Sequence, residues 1–256
     1  MTEPWRTGIT TYDEKNIWVG GYAIGDLMQR ATFAETIFLL HAGRLPSKEE
    51  GKLLDAILIS SADHGPGSPS AATARLACSG NRGSVSSAIA AGILAIGDQH
   101  GGAGMECMEV IAEGVAIAKS EDLTLQEAAE KLVDNYRARG ARVAGMGHRQ
   151  HTSDPRKEVL FGMAESYGLA GDGVKFMLAL EDAVAAKVKP LPINIDGVLA
   201  AILFDLGFPP LMGRLIFIIG RTAGLSAEVA EELAREKAMR IKVPVTYDGP
   251  APRKLP

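Results

Sequence analysis

Helices are the regular structure that this 256-residue chain predicts almost throughout, and three observations lead there. Apolar residues recur at three- and four-residue spacing in one segment after another. Ser or Thr followed three residues later by Glu opens two of those segments as a capping box. Neither period-two alternation nor a strand–helix repeat is sustained anywhere. The fold class is therefore all-α.

Composition sets the frame for that fold. With 46% hydrophobic residues the chain can bury a full core, and its length allows one or two domains. The formal net charge of −4 argues against nucleic acid as a partner, which calls for a basic balance over the whole domain. The N-terminal residues show no basic segment followed by an apolar run. The longest apolar stretch, near 211–225, is interrupted by Gly213, Arg214, Gly220 and Arg221. The expectation is a cytoplasmic protein without a membrane segment. Cys78 and Cys107 stand in Ala- and Met-rich helical contexts without ligand spacing, so they read as small buried hydrophobes rather than a disulfide or a zinc site.

Residues 1–22 mix aromatic and polar residues with Gly20-Gly21 and read as an irregular or short extended lead-in. From Asp26, a candidate cap, Leu27, Met28, Ala31, Ala34, Ile37, Phe38 and Leu39 predict one helix ending near Gly43. Ser47 and Glu50 form a capping box for a second helix running to about Ser61. Asp63-His64-Gly65-Pro66-Gly67 is a turn-rich loop. Two helices of small residues follow, over 70–78 and 84–96, suited to close backbone approach. Next come Gly97-Asp98-Gln99-His100-Gly101-Gly102 and a second capping box, Thr124 with Glu127, whose helix leads to a basic loop. Further helices are expected over 154–167, 171–187, 196–206 and 210–238. The tail from Lys242 holds four prolines and reads as an irregular arm, either crossing to another subunit or loose.

The organising stretch is Gly145-Met-Gly-His148-Arg-Gln-His-Thr-Ser-Asp154-Pro155-Arg156. Its glycines let a backbone approach a ligand, His148 titrates near neutral pH, and Asp154-Pro155 is a helix start. Arg137, Arg139, Arg142, Arg149, His151 and Lys157 surround it, a local reversal of sign that points to an anionic small molecule. Taken alone, Gly-x-Gly-His is equally a turn holding a hydrogen-bonded histidine. His64, His100 and His148, however, all stand in glycine-framed loops at helix ends, and Asp196 follows the proline-pinned lead-in Lys189-Pro-Leu-Pro-Ile-Asn194. Catalytic groups tend to occupy such positions on a rigid scaffold. His41 and His151 read as bystanders.

These motifs occur in the order found in the citrate synthase superfamily, which the chain resembles along essentially its whole length. They are Asp63-His64-Gly65-Pro66, the Gly97–Gly102 loop, Gly145-Met-Gly-His148 with Asp154-Pro155-Arg156, Asn194-Ile-Asp196-Gly197 and Gly220-Arg221, preceded by Gly21-Tyr22-Ala-Ile-Gly-Asp26. It is most similar to the short members, stand-alone citryl-CoA lyase and the citryl-CoA lyase module of ATP-citrate lyase. The resemblance implies a large helical domain, residues 1–102 and 195–256, with a smaller helical domain, 103–194, closing over the site. It also implies a homodimer or a dimer of dimers.

Carried over by position, the resemblance makes His100 the group that stabilises the enol of the acetyl thioester. His148 becomes the one that exchanges a proton with the citryl hydroxyl or oxaloacetate carbonyl, and Asp196 the acid/base at the acetyl methyl carbon. His64, Arg156 and Arg221 match substrate-binding groups. Lys242 stands where the lyase modules place an arginine, supplying charge without the two-pronged fit to a carboxylate. Thr152 replaces a basic residue near the CoA phosphates, leaving Arg142, Gly145, Gly147 and Arg149 as candidate CoA contacts.

The implied activity is cleavage of citryl-CoA to acetyl-CoA and oxaloacetate. A citrate or 2-methylcitrate synthase is the near alternative, and a non-catalytic helical binding or scaffold protein the alternative of another class. Coenzyme A thioester is a substrate here, with no permanently bound cofactor and no metal called for. No Gly-rich Gly-Lys-Ser/Thr loop occurs, so ATP-dependent formation of citryl-CoA falls to a separate enzyme.

Overall fold

A computed structural model describes residues 4–147 and 154–255. Among them the chain is built from helices, with one small antiparallel sheet near its start: β1 (Thr10–Tyr12), β2 (Ile17–Val19) and β3 (Tyr22–Ala23). Thr11 faces Trp18 and Trp18 faces Ala23, so the extended lead-in is a three-stranded meander. The single helix expected over 26–43 is two, α1 (Ile24–Arg30) and α2 (Phe33–Ala42). The break is chemical. The Thr32 side chain accepts from the Glu35 N–H, the Glu35 carboxylate accepts from the Thr32 N–H, and this capping box restarts the chain. Asp26 consequently lies within the first turn of α1 instead of capping it.

Elsewhere the local signals place the elements. α3 (Lys48–Ala62) and α7 (Leu125–Ala138) open on the Ser47/Glu50 and Thr124/Glu127 boxes. α4 (Pro69–Gly80) and α5 (Val85–Leu94) are the small-residue pair, and α8 (Pro155–Ser166) starts at Asp154 with proline in its first turn. α9 (Asp172–Lys187), α10 (Ile195–Asp205) and α11 (Leu211–Arg235) complete the set with α6 (Ala103–Glu121). α6 is a helix the sequence pattern does not announce, because it starts at Gly102 with no side-chain cap.

Two cores hold these elements. The larger runs from Ile37 and Phe38 through Cys107, Ile111, Leu132, Phe161, Phe176 and Met177 to Leu203 and Ile216, joining α2, α3 and α6 through α11. The smaller packs Ala71, Ala74 and Cys78 of α4 and Ala88 of α5 against Leu225 and Val229 of α11. Both cysteines are free and buried. α11 touches both cores, and it lies along α3, α4 and α6. That central position lets its residues reach a cavity at the junction of loops from every part of the chain. No helix among the described residues is long and apolar enough to cross a membrane.

Candidate active site

The cavity has a volume of about 530 Å³. Into its wall come His64 with the 65–69 loop, His100, Gly147, Arg156, Asp196, Phe217 and Arg221. Six of the residues singled out from sequence thus meet in one place, although they span positions 64 to 221. Gly145 is buried behind the wall. Arg142 is exposed and Lys242 lies in the exposed tail, both outside the lining. His148 and Arg149 fall outside the described residues.

Each side chain is placed by an identifiable local device. Asp154 caps α8, and its carboxylate also accepts from Arg156 Nε at 2.9 Å and Nη2 at 2.7 Å. Arg156 Nη1 donates to the Ser60 carbonyl at 3.1 Å. The guanidinium is therefore fixed at the rim where α3 ends and α8 begins. Arg221, only 2% exposed, donates from Nε to the Ser61 carbonyl at 2.9 Å and from Nη1 to Ser70 Oγ at 3.1 Å. Its guanidinium also sits over the Phe217 ring, 4.9 Å from the centroid.

Ser70, which sequence reasoning did not select, settles the state of His100. Its backbone N–H lies 3.3 Å and its Oγ 2.9 Å from His100 Nε2. The N–H can only donate, so Nε2 receives it; Oγ, which has a second lone pair beyond the one taken by Arg221, adds nothing to that assignment. Nε2 is then an acceptor and the imidazole is neutral, with its proton on Nδ1. The ring meets Phe217 edge-on at 6.2 Å.

Asp196 enters from the first turn of α10, whose cap is Asn194. Burial pushes its carboxyl from the ordinary 3.8 up to about 6; the Arg156 and Arg221 charges oppose this only in part, and Asp154 reinforces it. Burial likewise pulls the Arg221 guanidinium below its usual value, against Asp63 and Asp196. The turn is held by the loop preceding His148. Gly147 N–H donates to the Pro192 carbonyl at 2.7 Å and Asn194 N–H to the Gly145 carbonyl at 2.9 Å. Gly145 and Gly147 both have φ near +80°, a backbone that side-chain-bearing residues rarely adopt. A Cβ on Gly145 would lie 3.0 Å from Gly197 Cα, so the loop and the Asp196 turn touch backbone to backbone.

A neutral histidine, a carboxyl that titrates near neutrality and two fixed arginines around one cavity define an acid–base site for a carboxylate-bearing small molecule on an all-helical scaffold. That class can be made specific. The chain belongs to the citrate synthase family: residues 47–242 match the family's C-terminal domain. It is 29% identical to citrate synthase of Haloferax volcanii over 213 residues, covering 81% of this chain and 53% of that one. It is 26% identical to citrate/2-methylcitrate synthase of Bacillus subtilis over 231 residues, 87% of this chain and 58% of that one. The chain therefore spans little more than half the length of these curated relatives. The structure of citryl-CoA lyase from Hydrogenobacter thermophilus superposes with a TM-score of 0.91 at 36% identity, covering 99% of this chain and 98% of that one.

Proposed function

We propose that the protein is a citryl-CoA lyase, cleaving citryl-CoA to acetyl-CoA and oxaloacetate. The observation that carries the chemistry is the buried Asp196 carboxyl, at about 6, facing the same cavity as a neutral His100. Cleavage needs a base for the tertiary hydroxyl, a donor for the oxygen of the departing enolate and an acid for its carbon. His148, by its place in the motif, takes the hydroxyl proton as the carbon–carbon bond breaks and the ketone of oxaloacetate forms. The bonding pair passes to the acetyl thioester as an enolate, whose oxygen receives the His100 Nδ1 hydrogen bond. Asp196, protonated, delivers its proton to the methylene carbon and completes the acetyl group. His64, Arg156 and Arg221 hold the oxaloacetate portion, with the fixed guanidinium planes matching carboxylates.

The end-to-end match to the Hydrogenobacter lyase supports the lyase over a synthase. The curated relatives support the second reading, a citrate or 2-methylcitrate synthase that also hydrolyses the thioester. Closure of residues 103–194 over the bound thioester belongs to either reading, as does assembly into a homodimer or larger oligomer. The test is incubation with authentic citryl-CoA without ATP, following oxaloacetate, acetyl-CoA and free CoA. Equimolar acetyl-CoA and oxaloacetate is the expected outcome. Citrate with free CoA identifies the synthase reading, and no turnover of either kind rejects both.

A further inference from the structure

The Asp196 turn and the loop that leads into His148 are far apart in sequence, yet one side chain ties them. Asn194 Nδ2 donates to the Gly147 carbonyl at 3.0 Å, and its Oδ1 accepts from the Gly197 N–H at 3.2 Å. The assignment of the two amide ends follows from their partners, since a backbone N–H only donates and a carbonyl only accepts. Its backbone N–H bonds Gly145, and Gly147 bonds back to Pro192, so Met146 and Ile193 pair as a single antiparallel bridge. Behind the bridge the Glu181 carboxylate accepts from the Ile193 N–H at 2.7 Å and is itself paired with Lys157, the neighbour of Arg156.

We infer that Asn194 is a positioning residue: it fixes the Asp196 turn and the Gly145–Gly147 wall of the cavity in one register. Its catalytic consequence rests on the function proposed above. Asn is suited to the task because it offers an acceptor and a donor from one rigid group. Asp would keep the acceptor and lose the donor, and Ser would keep the cap but fall short of Gly147. A bare helix cap would need only the acceptor.

That difference separates positioning from capping. In the full chain, Asn194→Ser and Asn194→Asp retain an acceptor for Gly197 and are expected to melt within a few degrees of wild type. With citryl-CoA as substrate, kcat falls about thirty- to a hundredfold, as displacement of reacting groups by a fraction of an ångström to an ångström costs, while KM stays within about threefold. Amide hydrogen exchange quickens over 144–147, with 198–205 still protected. Wild-type kcat in both variants, or unchanged protection at 144–147, overturns the inference. A kcat loss matched by an equal loss of thermal stability does the same, since it leaves Asn194 a cap alone. If wild-type protein neither forms nor cleaves citryl-CoA, the reaction assigned above fails instead. The tie is then decided by exchange in Asn194→Ser, where unchanged protection at 144–147 overturns it.

Discussion

At Asp196 burial and charge oppose each other, and burial wins: the carboxyl titrates near 6 although two arginines face it. The sign of the consequence follows from linkage. A carboxyl raised from 3.8 to about 6 binds its proton more tightly in the folded chain, so its favourable contribution is complete below about pH 4 and is lost as pH rises through 6. Asp196→Asn keeps the position neutral at every pH. Urea unfolding should find the variant more stable than wild type at pH 8, by on the order of 2 kcal/mol, with the gain gone at pH 4. The same substitution removes the proton that completes the acetyl group, so kcat should fall a hundredfold or more. For the wild type, cleavage should decline as pH rises through about 6 and condensation as it falls through that value. A variant that keeps wild-type kcat, or a stability difference independent of pH, would remove Asp196 from its assigned place.

Between elements, α6 and α11 cross backbone to backbone near the site. A Cβ on Gly213 would lie 2.5 Å from the Gly104 carbonyl carbon, and one on Gly104 would lie 2.9 Å from the Gly213 oxygen. The obstacle in each case is backbone, which cannot swing aside as a flexible side chain does. Gly213→Ala should therefore cost about 1–3 kcal/mol by overpacking. It should also lower kcat, because α11 carries Phe217 and Arg221 while α6 follows directly on the His100 loop. A thermal melt and a turnover assay on one preparation test both, and a variant with unchanged melting would show that the crossing is loose. Such contacts also mark how far a sequence can be read. The Ser47/Glu50 and Thr124/Glu127 boxes are local signals and place α3 and α7 directly. The Thr32/Glu35 box is equally local, but the apolar spacing running through Ala31 and Ala34 masks it. At the site, the histidines, Arg156, Asp196 and Arg221 stand out because glycine, proline or helix-start residues frame them. Ser70 has no such frame: it acts on His100 30 positions away and on Arg221 151 positions away, a relation that exists only after folding.

Across the whole molecule, buried charge reinforces the smaller core, where it ties α4 to α11. Beside the smaller core, Arg75 of α4 donates from Nε to Glu232 at 3.0 Å and pairs with Glu228, both on α11. Arg240, just beyond α11, donates from Nε to Glu232 at 2.9 Å, and Met239 N–H reaches the Ser79 carbonyl at 3.0 Å, so the start of the tail is stitched to α4. Glu232 is 0% exposed, and the hydrogen bonds from Arg240 and Arg75 hold its carboxyl below the ordinary 4.5. This is the opposite case to Asp196. A depressed carboxylate contributes stability that is present above 4.5 and lost as pH falls through its folded value. Glu50, held low chiefly by Arg44, acts in the same direction from the other end of the molecule. Glu232→Gln keeps the shape and removes the charge, leaving Arg75 paired with Glu228 and the partly exposed Arg240 paired with Glu236. Hydrogen bonds to a charged group contribute about 1.5–3 kcal/mol, so the variant should be weaker than wild type in urea at pH 7. As pH drops below 4.5 the wild-type carboxylate takes up its proton and the gap should narrow. Midpoints measured at pH 7, 5, 4 and 3 trace that convergence; a gap that stays constant would mean the cluster holds α4 to α11 by packing and not by charge.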